Sequence, residues 1–199
     1  MRDHPIHLAI FASGSGSNAL KIIKYFSASL KFKIALIISN NKNAGVLAHA
    51  TEHQIPHFFW PKNQLSNSEK TLELLNNFQI DGIILAGFLA KIPEYLVNVY
   101  QDKILNIHPA LLPAFGGIGM HGMYVHQAVS QAAVSVTGPT MHVVNEDYDA
   151  GRIIFQCRVP IAPKTPADEI AQQVLRYEHK FYPYIIERYF RRFCSKSDK

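Results

Sequence analysis

The sequence predicts an α/β fold in which a doubly wound, mostly parallel sheet is followed by an antiparallel C-terminal portion. Short, continuously apolar runs alternate with segments of helical pattern through the first half of the chain. Strands of this kind are buried on both faces, which is typical of parallel strands covered by helices. After residue 132 the pattern changes to two β-like runs close together. We therefore expect a Rossmann-like sheet extended by antiparallel strands.

The individual elements follow from the apolar runs and from the polar breaks between them. Buried strands are predicted at residues 6–12, 33–39, 57–60, 81–87 and 104–107. Helices are predicted at 18–26, 45–53 and 69–78 and, after a Pro- and Gly-rich loop at 109–122, at 125–132. The later β-runs cover 139–144 and 152–159, joined through 145–151 by a hairpin or a sharp return, and a long helix closes the chain from about 166 to 193.

Composition sets the broad class of the protein. Hydrophobic residues make up 48% and charged residues 18%, which is typical of a globular chain. No composition break or internal repeat divides the chain, so we expect residues 1–199 to form one domain. No apolar run reaches the ~20 residues that span a bilayer, and the start lacks the apolar stretch of a secretory signal. We therefore expect a cytoplasmic protein without a membrane partner, and we interpret Cys157 and Cys194 as reduced bystanders.

The chain carries a net charge of +5, which favours anionic partners such as phosphates, polyglutamates or nucleic acid. The densest basic run lies at residues 188–199. Such a run forms either a nucleic-acid patch or the solvated C-terminal end of a helix, where cations offset the negative end of the helix dipole. We favour the helix end and expect no nucleic-acid partner.

A glycine- and serine-rich segment, residues 13–18, directly follows the first strand and opens the first helix. Glycines let the backbone approach a ligand closely, and the free N–H groups at a helix N-terminus favour an anion. The hydroxyls of Ser15 and Ser17 add possible donors. The spacing matches neither the dinucleotide fingerprint nor a Walker loop. A tight turn with a Ser or Asn cap is the alternative, and we favour phosphate binding.

Asn106 and His108 alternate at the end of the fifth strand, so their side chains point to the same face. The carboxyl end of a parallel strand is where such sheets place active sites. An amide beside an imidazole polarises a carbonyl and moves a proton, which suits acyl or formyl transfer. Asp149 follows a later β-run and is a candidate to orient or charge a histidine. The alternatives are a structural histidine before Pro109 and a solvated loop carboxylate.

Together these motifs identify a family. Over nearly its whole length the chain resembles the phosphoribosylglycinamide formyltransferases of purine biosynthesis. The resemblance is carried by seven segments in a specific order and spacing, at residues 14–18, 39–40, 85–89, 104–113, 140–142, 149–151 and 178–183. It implies the formyltransferase fold, with a phosphate-binding half at about 1–100 and a folate-binding and catalytic half at about 101–199.

The resemblance also implies roles for individual residues. The phosphate and ribose of glycinamide ribonucleotide would be held by Gly14, Ser15, Gly16, Ser17, Asn18 and Glu178. The wall of the pterin pocket would be formed by Leu85, Phe88, Leu89, Ala90 and Ile92, with Asn106 beside it and the segment from Asn145 to Asp149 closing it. The catalytic residues would be Asn106, His108 and Asp149.

The implied reaction is attack of the substrate amine on the formyl carbon of 10-formyltetrahydrofolate. Asn106 and a protonated His108 would stabilise the oxyanion, and Asp149 would favour the charged imidazole. The resemblance implies small-molecule substrates and no metal, and it leaves a homodimer open. Two features depart from the family. Ala90 stands where some members carry Arg, and the basic residue for the folate tail has no clear match beyond the candidates Lys62 and Lys70.

Other functions remain as alternatives. A formyltetrahydrofolate hydrolase is similar but usually adds an N-terminal regulatory domain, and a methionyl-tRNA formyltransferase needs a further RNA-binding domain; we expect neither. His49, Glu52 and His53 fit the H-x-x-E-H pattern of some zinc proteases, which we interpret as a polar helix face. A non-catalytic phosphate-binding module would use residues 13–18 alone and leave Asn106 and His108 unexplained.

Overall fold

The computed structural model describes the backbone of residues 4–194 and the side chains of residues 4–193. The strands are β1 (Ile6–Phe11), β2 (Phe32–Ser39), β3 (His57–Phe59), β4 (Gly82–Leu85), β5 (Ile104–His108), β6 (Val136–Thr137), β7 (Thr140–Val143), β8 (Ile153–Gln156) and β9 (Val159–Pro160). The helices are α1 (Ser17–Phe26), α2 (Gly45–Glu52), α3 (Lys62–Leu65), α4 (Ser68–Asn77), α5 (Glu94–Val99), α6 (Met123–Gln131) and α7 (Ala167–Cys194).

The main sheet has seven strands in the order β3-β2-β1-β4-β5-β7-β8. Pairing is parallel from β3 through to β5, whereas β7 runs antiparallel to β5 and β8 antiparallel to β7. The predicted parallel sheet with an antiparallel C-terminal portion is therefore confirmed. The strand order reverses between β1 and β4, and ligands bind at such a switch point, outside the carboxyl ends of the strands.

Two hydrophobic clusters cover the two faces of this sheet. Successive side chains of a strand point to opposite faces, so Ile10 packs in one cluster and Phe11 in the other. Helices α1, α2 and α7 supply the cluster around Ile10, and α3, α4 and α5 supply the cluster around Phe11. The continuous apolar runs of the strands follow from this arrangement, because neither face of a central strand meets water.

Helix α7 connects the distant parts of the chain. It packs against α1, and Ile170 and Val174 in its first half join Val125 and Val129 of α6 in a third cluster. The buried hydroxyl of Tyr182 donates to the carbonyls of Leu85 and Leu105, at 2.9 and 3.2 Å, near the ends of β4 and β5. Within residues 4–194 no helix is long and apolar enough to cross a bilayer. The predicted division of the chain at about residue 100, into a phosphate-binding half and a catalytic half, stays a prediction.

The structure departs from the predicted elements in three places. The predicted β-run at 152–159 is divided into β8 and β9, because the facing segment bends at Gly138 (φ 137°), opposite Cys157. On one side of this bend β7 pairs with β8, and on the other side β6 pairs with β9. The short helices α3 and α5 were not expected; both begin after a proline, Pro61 and Pro93. The end of the basic run, residues 195–199, and the side chain of Cys194 lie outside the described residues.

Candidate active site

The serine- and glycine-rich segment forms the turn from β1 into α1. Gly16 adopts a left-handed backbone (φ 81°), and a Cβ on it would lie 2.8 Å from Cα of Val46, so α2 packs directly against the turn. The first backbone hydrogen bond of α1 runs from Leu20 N–H to the carbonyl of Gly16. The preceding N–H groups have no partner within the helix. Gly14 and Ser15 are exposed, and anion binding by this turn stays a prediction.

A cavity of about 280 Å³ lies beside this turn, at the carboxyl ends of β4 and β5. Most of the predicted site residues line it together, namely Asn18, Leu85, Phe88, Leu89, Ala90, Ile92, Asn106, His108, Asn145, Asp149 and Glu178. The structure does not place the remaining ones on its lining; these are Gly14, Ser15, Gly16 and Ser17. They lie at the N-terminal end of α1, and Asn18 in the first turn of that helix connects them to the cavity.

One wall of the cavity is apolar. Leu85 and Ile92 are buried, Phe88 is half-buried with its ring centroid 5.4 Å from that of Phe11, and Leu89 leaves 54% of its surface exposed. An apolar wall of this kind accommodates the flat face of an aromatic ligand.

The opposite side of the cavity brings together Asn106, His108 and Asp149, although Asp149 is distant in sequence. Nδ1 of His108 lies 3.5 Å from Oδ2 of Asp149. Nδ2 of Asn106 lies 3.5 Å from Oδ1 of the same carboxylate. The backbone of Asp149 is left-handed (φ 53°), a conformation that non-glycine residues rarely adopt except at constrained sites. The N–H of Gly117 donates to Oδ2 across 3.0 Å and helps to hold this carboxylate.

The hydrogen bonds of His108 define its tautomer. Nε2 lies 2.7 Å from the carbonyl oxygen of Phe115, which only accepts, so Nε2 carries the proton. In the neutral ring Nδ1 therefore presents its lone pair toward Asp149. Burial lowers the pKa of His108, and this effect outweighs Asp149 and the Phe115 carbonyl, which raise it. This direction favours the neutral imidazole in the free site. The protonated His108 that the resemblance implies during the reaction stays a prediction.

Asp149 remains a carboxylate in this surrounding. Burial alone would raise its pKa, but His142, His108 and the N–H of Gly117 together outweigh burial, and the net pKa is lowered. The negative charge next to Nδ1 of His108 favours proton uptake at that nitrogen. The pair can therefore accept a proton from a substrate and return it.

His142 was not predicted as a site residue, although the resemblance includes its segment. It lies opposite Asn106 in the register of β5 and β7. Its Nδ1 lies 3.1 Å from the carbonyl oxygen of Val143, and its Nε2 lies 3.1 Å from Nδ2 of Asn106 and 3.5 Å from Oδ1 of Asp149. His142 therefore orients the amide of Asn106. Only the pairing of the two strands brings the residues together, and that pairing is not visible in the sequence.

Glu178 and Asn18 join the two ends of the chain at the cavity. Glu178 is 7% exposed, and its Oε2 accepts from Nδ2 of Asn18 across 2.6 Å. Burial raises the pKa of Glu178, and the bond from Asn18 partly opposes this shift. Oδ1 of Asn18 is buried and has no hydrogen-bond partner within the described residues. A polar ligand would satisfy it.

Lys91 and His126 are among the further cavity-lining residues that the sequence-based prediction did not include. Lys91 extends its Nζ over the ring of Tyr148, 5.7 Å from the ring centroid, on the cavity lining. It lies next to Ala90, so a cation is present although the expected arginine is not. Lys62 and Lys70, the sequence-based candidates for binding the folate tail, do not line the cavity.

His126 is buried on α6. Burial and the nearby His108 lower its pKa to about 4.

The zinc pattern on α2 does not assemble a site. Nδ1 of His53 lies 3.0 Å from the carbonyl oxygen of His49, a backbone contact that ends the helix. Across residues 4–194 no group of three or more His, Cys, Asp or Glu side chains is placed to hold a metal ion. We continue to interpret the pattern as a polar helix face, and the absence of a metal stays a prediction.

An amide, an imidazole and a carboxylate at the carboxyl end of a central strand, facing an apolar pocket, define a group-transfer enzyme site. The chain belongs to the formyl transferase family, whose profile matches residues 6–186. The resemblance predicted from the motifs is confirmed by this match.

Individual relatives agree with the family. A phosphoribosylglycinamide formyltransferase of Arabidopsis thaliana chloroplasts is 40% identical over 90% of this chain, which spans only 63% of that relative. The enzyme of the same name from Bacillus subtilis is 36% identical over 90% of this chain and 92% of its own length. The crystal structure of a phosphoribosylglycinamide formyltransferase from Anaplasma phagocytophilum superimposes with a TM-score of 0.83, at 35% identity, over 92% of this chain and 85% of that one.

Proposed function

We propose that this protein transfers the formyl group of 10-formyltetrahydrofolate to the amine of glycinamide ribonucleotide. The products are formylglycinamide ribonucleotide and tetrahydrofolate, in de novo purine biosynthesis. The observation that carries the proposal is a single cavity lined by the apolar wall, by Asn106, His108 and Asp149, and by Asn18 and Glu178. One cavity that joins two binding surfaces at a reactive cluster suits transfer between two bound substrates.

The phosphorylated amine occupies the side of α1. Its phosphate lies at the N-terminal end of that helix, against residues 14–17, where backbone N–H groups and the helix dipole favour an anion. Asn18 and Glu178 hold the sugar, because the unpaired Oδ1 of Asn18 and the carboxylate of Glu178 both accept hydrogen bonds from hydroxyls. This position directs the amine toward His108.

The folate binds along the opposite wall. The residues present fit its pterin ring, since Leu85, Phe88 and Ile92 supply apolar surface and the backbone of the same loop supplies hydrogen-bonding groups at the ring edge. The segment from Asn145 to Asp149 closes this pocket. The anionic tail leaves past the exposed Leu89 toward Lys91.

The proposed mechanism starts from a neutral imidazole at His108 and a charged carboxylate at Asp149. Nδ1 of His108 takes a proton from the amine as the amine nitrogen bonds to the formyl carbon, and Asp149 stabilises the resulting imidazolium. Nδ2 of Asn106, oriented by His142, gives up its long 3.5 Å contact with Asp149 and donates that N–H to the formyl oxygen as negative charge develops there. The bond from the formyl carbon to the folate nitrogen then breaks, and His108 returns the proton to that nitrogen.

The proposal extends to the setting of the reaction. The donor set is suited to proton transfer and hydrogen bonding, and we propose catalysis without a metal, on small-molecule substrates, in the cytoplasm. We propose no nucleic-acid or membrane partner. A homodimer remains to be tested by sedimentation, and the division into a phosphate-binding half and a catalytic half remains part of the proposal.

A spectrophotometric assay of formyl transfer tests the proposal, run with and without glycinamide ribonucleotide on the wild type and on His108→Ala. Folate product that forms only with the amine, and falls at least about 100-fold in His108→Ala, is the expected result. Product formed without the amine would indicate a hydrolase. No turnover under either condition would leave a phosphate-binding module, which phosphate-dependent thermal stabilisation would detect.

A further inference from the structure

Ser13 connects three loops at the switch point of the sheet without lining the cavity. It follows β1 and is 6% exposed. Its Oγ donates to Oδ1 of Asn40, which follows β2, across 2.6 Å. The same Oγ accepts from the backbone N–H of Leu89, which follows β4, across 2.9 Å. The hydroxyl is therefore bonded on both sides, to two segments that share no strand with it.

The backbone of Ser13 strengthens these connections. Its N–H donates to the carbonyl of Gly87 across 3.0 Å, and its carbonyl accepts from Nδ2 of Asn41 across 3.2 Å. Gly87 and Leu89 are thus attached to Ser13 at two points, one through the backbone and one through the hydroxyl. Side-chain hydrogen bonds that hold a loop against its neighbour act as positioning contacts for the groups that the loop carries.

The two sides of this connection carry different halves of the site. The residue after Ser13 begins the turn that leads to the N-terminus of α1, whereas Gly87 and Leu89 belong to the loop that forms the apolar wall. The hydroxyl of Ser13 is the side-chain contact between these two loops. A ligand held on each side therefore sits at a distance that depends on this hydroxyl.

We propose that Ser13 is a positioning residue that sets the distance between the phosphate-binding end of α1 and the folate-binding wall, and hence between amine and formyl carbon. This inference rests on the proposed function. Ser13 does not line the cavity and its hydroxyl is bonded to Asn40 and Leu89, so we expect each ligand to keep its own binding contacts when the hydroxyl is removed. A misplacement of about 1 Å between reacting groups costs up to about 100-fold in rate. Loss of the hydroxyl should accordingly lower kcat more than it raises either KM.

Ser13→Ala is the test, with kinetics and amide hydrogen exchange measured on the same preparation. We expect kcat to fall about 10- to 100-fold while the KM of each substrate stays within about three-fold. The Leu89 amide should exchange faster than in the wild type, because its acceptor is gone. Ser13→Cys, closest to serine in size and only a weak hydrogen-bonding group, should change both quantities in the same direction by less.

Ser39→Ala is the matched control. Ser39 is also a buried serine and ends a neighbouring strand, but its hydroxyl bonds to the backbone of Asn41 within its own segment. It is linked to Ser13 only through the Asn41 side chain, which bonds to the Ser13 carbonyl and not to its hydroxyl. The kcat of Ser39→Ala and the hydrogen exchange rate of its Leu89 amide should match the wild-type values. The inference is overturned if Ser13→Ala keeps its kcat, if its loss appears in KM, or if Ser39→Ala loses as much kcat. An inactive wild type would overturn the proposed function instead, which separates the two failures.

Discussion

Nδ2 of Asn18 donates to Oε2 of Glu178 across 2.6 Å, which joins the first turn of α1 to α7 although the residues are 160 apart in sequence. The contact is buried, and a charged carboxylate is costly in such a place unless it has a function or several partners. Because the pKa of Glu178 is raised by burial, its charge destabilises the folded chain. Glu178 lies on the cavity lining, and in the proposed function its carboxylate binds the substrate sugar.

Glu178→Gln should therefore separate binding from stability. We expect the KM for glycinamide ribonucleotide to rise about 10-fold, since a hydrogen bond to a charged group contributes about 1.5–3 kcal/mol. The melting temperature should stay unchanged or rise at neutral pH, because the buried charge is removed. Steady-state kinetics and thermal unfolding measure the two effects. Glu187→Gln, on the same helix but outside the cavity lining, should leave KM unchanged; a parallel rise there would contradict the role of Glu178.

The pH dependence of kcat/KM should report His108. The neutral imidazole is the active form, so activity falls as pH drops through its pKa, and burial places that midpoint below the usual value of about 6.5. Asp149 raises the pKa of His108, so Asp149→Asn should move the acid limb to lower pH and reduce kcat about 100-fold. Initial rates between about pH 5 and 9 test this. Asp168→Asn is the surface control. An acid limb of the pH profile that stays at the wild-type pH in Asp149→Asn would refute the effect of Asp149 on the pKa of His108.

Lys91 should bind the anionic folate tail in place of the expected arginine. We expect Lys91→Gln to raise the KM for 10-formyltetrahydrofolate about three- to five-fold with little change in kcat, because an exposed ion pair contributes at most about 1 kcal/mol. The effect should shrink at 0.5 M salt, since exposed charges are screened. Lys62→Gln, away from the cavity, is the control. A larger effect in Lys62→Gln would favour the sequence-based candidate.

His126 should make the fold sensitive to acid. Its pKa is about 4 in the folded chain and about 6.5 when unfolded, so between these values the unfolded state binds more protons. Stability from this group is complete above about pH 6.5 and is lost as pH falls toward 4, by roughly 3 kcal/mol. Denaturant unfolding of the wild type and His126→Gln at pH 7 and 4.5 measures it. The mutant should lose less stability than the wild type, and the exposed His4→Gln should behave as the wild type does.

Much of the fold could be predicted because it depends on residue patterns within short segments of the sequence. The continuously apolar strands, the helices between them and the long α7 all depend on neighbouring residues, and the structure has them near the predicted bounds. The short α3 and α5 carry too few residues for a periodic pattern. The interruption of the predicted β-run at Cys157 depends on Gly138, which lies in another segment of the chain. The sequence around Cys157 therefore does not indicate it.

The sequence by itself determined the strand and helix pattern, the motif at residues 13–18, the polar pair Asn106 and His108, and the family. Only the tertiary structure decided how these parts meet. Burial, which no single segment controls, lowers the pKa of His108. Strand pairing brings His142 to Asn106, and the packing of α7 brings Glu178 to Asn18. Hydrogen bonding and desolvation act between atoms that are close in space, and closeness in space is the property that a linear pattern does not contain.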